Sequence, residues 1–450
     1  MDILRKLVFS AALPVLLSAA CTFGAAPPTE PQQPGEPSPA TAPPVPASPS
    51  APQVAETASV SLPSLPAPEL PQILLTVDAV PSGGRIAPLL GVGGGPLPPD
   101  RGDGAVLTEE YQSVGVTMIR THDMGGPLDM AIIYPDQNAD PRDPASYDSE
   151  ASDQVFAAIL EGGFEPYLRL GDSMHTSPGM PTLATRAPIN PDNWVQAAVE
   201  VVRHYDEISP ALASQGGALN DRLEQYTSRF LDYLQKHNTP LDFFSWHVYT
   251  SDAETYKQLA EFYRAQLDTH GYTAAESHIT EWNTAMRGED ETDAVRNTAR
   301  GAALMSAGWI GLQEGGVEVS TFYRGNEHTN RGNMGLFTPE GDPKPMAWAF
   351  SLWAQMTAHP DRLNISPESE QVNPLWALAG RNADGAIALL IVNPTDTPTS
   401  WQAVFAGRET PASATLYQVS DTAEGVQAFI PEAPAAEIED YTVQLLIVRP

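Results

Sequence analysis

From about Gln72 onward, short apolar runs alternate with longer stretches whose apolar residues recur at three- and four-residue spacing. Residues 85–92, 116–120, 166–170, 211–215, 241–249, 277–282 and 317–323 read as strands, each a brief apolar run bounded by turn residues. Residues 152–161, 192–205, 222–237, 253–269 and 294–312 read as helices. Phe230, Leu231 and Leu234 mark the buried stripe of one, and Leu259, Phe262, Tyr263 and Leu267 that of the next. Strands alternating with helices predict a parallel sheet, as a (β/α) barrel or a doubly wound sheet, because parallel neighbours need a long crossover. After Met356 the period changes to strand and turn. Residues 376–379, a turn over 381–385, and strands at 387–393 and 442–448 predict a small antiparallel β domain of about 90 residues.

The first residues have a different pattern. Arg5 and Lys6 precede an apolar run from Leu7 to Leu17, followed by Ser18-Ala19-Ala20-Cys21. That run is too short to cross about 30 Å of hydrocarbon as a helix, and it has the form of an export signal. Small residues ending in a cysteine resemble the lipobox of bacterial lipoproteins, with Ser18 standing where leucine is usual. The resemblance implies acylation of Cys21 and anchoring at the cell envelope; a plain cleaved signal beside a cysteine gives a secreted protein instead. From Pro27 to Pro71 there are 15 prolines in 45 residues and almost no large apolar side chain. Such a segment cannot bury enough surface to offset its ordering entropy, and it predicts an extended tether of at most about 3.1 Å per residue. The expected organisation is a signal over 1–21, a linker over 22–73, a barrel over 74–356 and a β domain over 357–450.

Charge and cysteine content narrow the function. With 24 Lys+Arg against 56 Asp+Glu the formal net charge is -32, which repels phosphate backbones and excludes nucleic acid as the expected partner. A single cysteine excludes an internal disulfide framework and a cysteine-based zinc cluster. The nine histidines show no metal-site spacing, so neither metal nor cofactor is expected. Gly171-Asp-Ser173 resembles a serine-esterase block, but the chain's single Asp-x-x-His, Asp172 to His175, overlaps the serine and cannot form a separate triad arm. Asp136-x-Asn138-x-Asp140 begins like a calcium loop, yet Pro141 and Tyr147 stand where glycine and glutamate are required. Gly91 to Gly95 runs into Pro96-Leu-Pro-Pro rather than a helix, against a dinucleotide site.

Polar residues collect at predicted strand ends, where a (β/α) barrel carries its chemistry. The stretches Ile119-Arg-Thr-His-Asp123, Gly126-Pro-Leu-Asp129, Val202-Arg-His-Tyr205, Leu241-Asp-Phe-Phe-Ser-Trp-His-Val-Tyr249 and Ile279-Thr-Glu-Trp-Asn283 together resemble the family 39 glycoside hydrolases. These are retaining enzymes on (β/α)8 barrels, among them β-xylosidases and α-iduronidases. The resemblance implies a (β/α)8-type TIM barrel with a small C-terminal antiparallel β-sandwich domain, and a neutral β-glycoside as substrate. It places Glu281 as the nucleophile; a salt-bridged structural carboxylate is the plainer alternative. Arg120 would bond that carboxylate and keep it ionised. Trp246, Tyr249, Trp282 and Tyr323 could offer flat faces to the sugar, unless they are core, and His122, His247 and Asn283 complete the expected binding set.

One part of the family pattern is missing. A retaining hydrolase needs a second carboxyl group about 5 Å from the first, to protonate the leaving oxygen and then activate water. In the family it is the glutamate of an Asn-Glu-Pro motif at the end of strand four. No Asn-Glu-Pro occurs in this chain, which runs from Val202-Arg-His-Tyr-Asp-Glu207 directly to Gly216-Gly217. The expected barrel therefore lacks strand and helix four. The nearest candidates for a substitute acid are Asp172 and, at the break itself, Asp206 or Glu207; Asp172 is the better placed, with a turn residue as its alternative role. Two functions follow: a glycosidase impaired by the loss, or a carbohydrate-binding lipoprotein without turnover.

Overall fold

The computed structural model describes residues 72–96, 106–121, 126–172, 188–205, 221–284, 295–327, 334–367, 374–407, 413–422 and 424–450. Cys21, His122, Asp206, Glu207 and the predicted strand at 211–215 lie outside them.

The barrel part contains six described parallel strands. They are β2 (Gly91–Gly93), β3 (Met118–Arg120), β4 (Glu165–Tyr167), β5 (Phe243–Tyr249), β6 (Glu276–Asn283) and β7 (Val319–Phe322). They lie in the order β4-β3-β2-β7-β6-β5, so the first and last strands of the expected barrel pair with each other as closure requires. Gly91 makes that pairing possible, since a Cβ there would stand 2.4 Å from the carbonyl oxygen of Ser320. Of the predicted strand 85–92 only Gly91 and Val92 enter β2, and Arg85 ends an earlier strand; between them Leu89 turns through the left-handed region at φ 46.

The helices are α1 (Thr108–Ser113), α2 (Met130–Ile133), α3 (Glu150–Glu161), α4 (Pro191–His204), α5 (Asp221–Lys236), α6 (Ala253–Thr269), α7 (Ala299–Glu314) and α8 (Pro345–Thr357). The longer ones follow the apolar spacing to within a few residues. Two start on side-chain caps: Asn190 accepts from the Asn193 amide and Asp252 from the Glu254 amide. Helix α7 is buried nearly all round. At Gly311 a Cβ would meet the Ala253 carbonyl at 2.6 Å, so the glycine lets α7 lie directly on α6.

The second body is one nine-stranded sheet. Its strands are β1 (Gln72–Arg85), β8 (Asp361–Pro367), β9 (Trp376–Arg381), β10 (Ile387–Asn393), β11 (Thr399–Ala406), β12 (Ser413–Val419), β13 (Gln427–Phe429), β14 (Ala435–Ile438) and β15 (Thr442–Arg449), in the order β13-β12-β15-β10-β9-β8-β1-β11-β14. Strand β10 is buried on both faces. Ala388, Leu390 and Val392 join Trp309, Phe350 and Trp353 of α7 and α8 in the barrel core. Ile387, Leu389 and Ile391 join Leu75, Val77, Trp401 and Phe405 in a second core, around which the sheet curls. The reading that began the barrel at residue 74 is corrected at its first element. Strand β1 pairs antiparallel with β8 and parallel with β11, so the β body takes its strands from both sides of the barrel.

Candidate active site

Glu281 stands near the end of β6, buried to 8 % exposure. Its two oxygens are held from two other strands. Arg120 of β3, 2 % exposed, donates from Nη1 to Oε1 at 2.8 Å, and Tyr249 of β5 donates its hydroxyl to Oε2 at 3.0 Å. His247 Nδ1 lies 3.4 Å from Oε2 without hydrogen-bond alignment. Its Nε2 is 2.9 Å from the Thr280 hydroxyl.

A bulge creates this convergence. Ile279 of β6 is level with Trp246 of β5, yet Glu281 is level with His247, leaving Thr280 as the extra residue. The bulge turns Glu281 to the same side as His247 and Tyr249, and fixes Thr280 beneath them. The Thr280 carbonyl accepts from the Thr321 hydroxyl at 2.6 Å.

Burial sets the charge states. It lowers the His247 pKa to about 4; Glu281 opposes the shift, while Arg120 and Arg169 add to it. The imidazole is neutral at neutral pH. Burial and the adjacent carboxylate raise the Tyr249 pKa well above its ordinary value, so the phenol stays protonated and donates. The result is a carboxylate fixed in one orientation by a cation and a neutral donor. Such a group can attack an electrophilic carbon or stabilise positive charge next to it.

Several expected site residues have other duties. Trp246 and Trp282 are fully buried on the outer side of their strands. Trp246 stacks on Tyr263 and donates to Ser277 Oγ, while Trp282 packs among Tyr256, Phe322 and Trp353 and donates to Ser320 Oγ. Neither has a face for a ligand, which corrects their reading as sugar platforms. Asn283 is a clip, donating to the carbonyls of Tyr323 at 2.6 Å and Met334 at 3.1 Å. Tyr323 keeps a place at the rim, half-buried and edge-on to Tyr249 with ring centroids 6.0 Å apart. Asp172 accepts from the Ala131 amide at 2.7 Å, in the first turn of α2, and its backbone carbonyl accepts from Arg169 Nη2. That is turn-residue geometry. Burial still raises its pKa, more than the Ala131 bond lowers it.

The sequence reading gives Thr280 and Tyr167 no role: Thr280 sits inside the Ile279-Thr-Glu-Trp-Asn283 stretch with nothing to mark it, and Tyr167 belongs to no motif. Tyr167 lies at the level of Arg120 in the neighbouring strand. Among the described residues no three His, Cys, Asp or Glu side chains converge as a metal site.

No family model and no curated protein matches the sequence. Solved structures do match. A glucosidase from Croceicoccus marinus is similar at 20% identity and TM-score 0.64, over 85% of this chain and 99% of that one. An α-L-arabinofuranosidase from Thermotoga maritima, in its arabinose complex, is similar at 15% identity and TM-score 0.59, over 84% and 100%. A monomeric β-xylosidase from Caulobacter crescentus is similar at 14% identity and TM-score 0.58, over 84% and 99%. The chain has the fold of these glycoside hydrolases, an α/β barrel followed by a β-sandwich domain.

Proposed function

We propose that the chain is a retaining glycoside hydrolase for neutral β-glycosides, xylosides first, of the kind that family 39 represents, with Glu281 as nucleophile. One observation carries the reading: a buried carboxylate at a barrel-strand end, bonded by Arg120 and Tyr249 and flanked by a neutral histidine. In the first step a Glu281 oxygen attacks the anomeric carbon. The glycosidic bond breaks with its electron pair going to the departing oxygen, and a glycosyl ester remains. Water then attacks the anomeric carbon, the bond from that carbon to Glu281 breaks with its electron pair returning to the carboxylate, and the proton that water loses passes to solvent, which neutralises a departed alkoxide.

The absence of Asn-Glu-Pro from the sequence favours a second reading, a carbohydrate-binding protein that keeps the cleft without efficient turnover. A screen of aryl glycosides, with product stereochemistry read by NMR, decides between them. Retained configuration, abolished by Glu281→Gln while sugar binding persists, supports the hydrolase. Binding without turnover of any aryl glycoside supports the second reading.

We also infer that Cys21 is diacylated, two chains being what stable anchoring requires, and that the proline-rich segment tethers the folded part to the envelope. Fractionation of Cys21→Ala tests this; wild type found equally in the soluble extracellular fraction overturns it.

A further inference from the structure

Strands β4 and β5 stand at opposite ends of the six-stranded sheet, yet their side chains meet inside the barrel. Tyr167 of β4 lies edge-on to Phe243 of β5, with ring centroids 6.0 Å apart. Its hydroxyl is 3.2 Å from Nδ1 of His278 in β6. The His278 ring lies flat on Phe243, 4.3 Å away and 7° from parallel, and its Nε2 is 2.9 Å from Glu276 Oε2. A carboxylate only accepts, so the proton of the neutral imidazole is on Nε2; Nδ1 is then the acceptor and Tyr167 the donor. Burial lowers the His278 pKa more than Glu276 raises it, which keeps the ring neutral.

Tyr167 also borders the candidate site. It is the register partner of Arg120, so the two side chains leave adjacent strands on the same face. Its carbonyl accepts from the Thr121 amide at 3.0 Å. Arg120 donates to Glu281 from Nη1 alone, and its buried Nε has no hydrogen-bond partner. One bond at Nη1 leaves the guanidinium able to tilt about it, so a side chain on the same face of the neighbouring strand can set its direction.

We propose that Tyr167 is a positioning residue for Glu281: pinned at its hydroxyl by His278 and at its ring by Phe243, it fixes Arg120 and, through Arg120, the carboxylate. The proposal rests on the reading of Glu281 as nucleophile. Among the described residues, the groups that face Glu281 include Arg120 from β3 and His247 and Tyr249 from β5, and Tyr167 acts on the first of these.

The test replaces single hydrogen bonds. Tyr167→Phe should lower kcat on a dinitrophenyl xyloside by about three- to tenfold, the range of one net hydrogen bond, with KM changed less than about twofold. In the same variant, the Glu281 carboxyl carbon should titrate at higher pH in a carbon-13 NMR experiment, assigned through its loss in Glu281→Gln. His278→Gln presents its amide where Nε2 was and loses the acceptor for Tyr167, so it should match Tyr167→Phe. His278→Asn keeps an acceptor near Nδ1 and should match wild type, which also covers a Tyr167→Phe protein that fails to fold. Lowered thermal stability with unchanged kcat and Glu281 titration in both Tyr167→Phe and His278→Gln overturns the proposal, leaving Tyr167 as core packing. Wild type without turnover overturns the hydrolase reading instead, and the NMR titration still decides the positioning role.

Discussion

Replacing Arg120 by methionine removes the guanidinium from Glu281 while keeping an unbranched side chain of similar reach. The carboxylate keeps the Tyr249 hydroxyl at 3.0 Å but loses its charged donor at 2.8 Å, at a position 8 % exposed. Removing one partner of a buried ion pair costs about 3–5 kcal/mol, mostly from the charge left behind. A folded body of about 300–380 residues has an unfolding entropy of about 0.6–0.8 kcal/mol/K, so the melting temperature should fall by about 4–8 °C at pH 7. The cost exists only while Glu281 is ionised, and the deficit should shrink in acid, where the variant's carboxyl takes up a proton. Adding Glu281→Gln removes the stranded charge, so the double variant should recover at least half the lost stability at pH 7. Scanning calorimetry and urea midpoints on the four proteins of the cycle give the coupling directly. An Arg120→Met protein melting within about 1 °C of wild type, or a double variant whose loss is the sum of the singles, would refute the reasoning.

Three further outcomes are expected. His247 has a folded pKa of about 4 against 6.5, so the unfolded chain binds its proton first. Stability should be full above about pH 6.5 and fall, on the order of 3 kcal/mol, down to about pH 4; His247→Gln should flatten that part of a urea-midpoint profile, and an unchanged slope counts against the assignment. Trp282→Phe loses the bond to Ser320 and some packing, and should cost about 1–3 kcal/mol with KM unchanged; a raised KM with native stability would return Trp282 to the sugar site. Because general acid catalysis supplies about 10²–10⁴-fold, hydrolysis should be confined to leaving groups such as dinitrophenolate and be accelerated by azide; efficient cleavage of an unactivated disaccharide, with no azide effect, would show a substitute acid in place.

Strand parity explains which parts of the site were legible. Side chains in a strand alternate, so Trp246 cannot share a face with His247 and Tyr249; the spacing in β5 already separated the core tryptophan from the site pair. In β6 the same rule fails. Strict alternation groups His278, Thr280 and Trp282 on one face and leaves Glu281 with Ile279 on the other. The bulge at Thr280 reverses that order, sending Trp282 outward and Glu281 inward. The resemblance pointed to Glu281, which the bulge turns inward, whereas periodicity alone would face it outward. The helices were legible because their stripes are local. Strand β1 was not, although Leu75 and Val77 alternate as a strand should, because its partners lie in β8 and β11 and nothing near it in sequence identifies them.

That first strand also constrains how the molecule is made. Arg85 and its partner Asp361 are 276 residues apart, and a ribosome adding about 5–20 residues per second needs about 14–55 s to cover the interval. During that time β1 is an apolar ribbon with no ladder to join, while the barrel is synthesised and can begin to fold between the two halves of the β body. Closure of the nine-stranded sheet is thus a late, long-range event, of the kind that raises contact order and slows folding. The apolar part of that waiting strand, Ile73 to Val77, is where a chaperone that shelters extended apolar segments would act on the nascent chain.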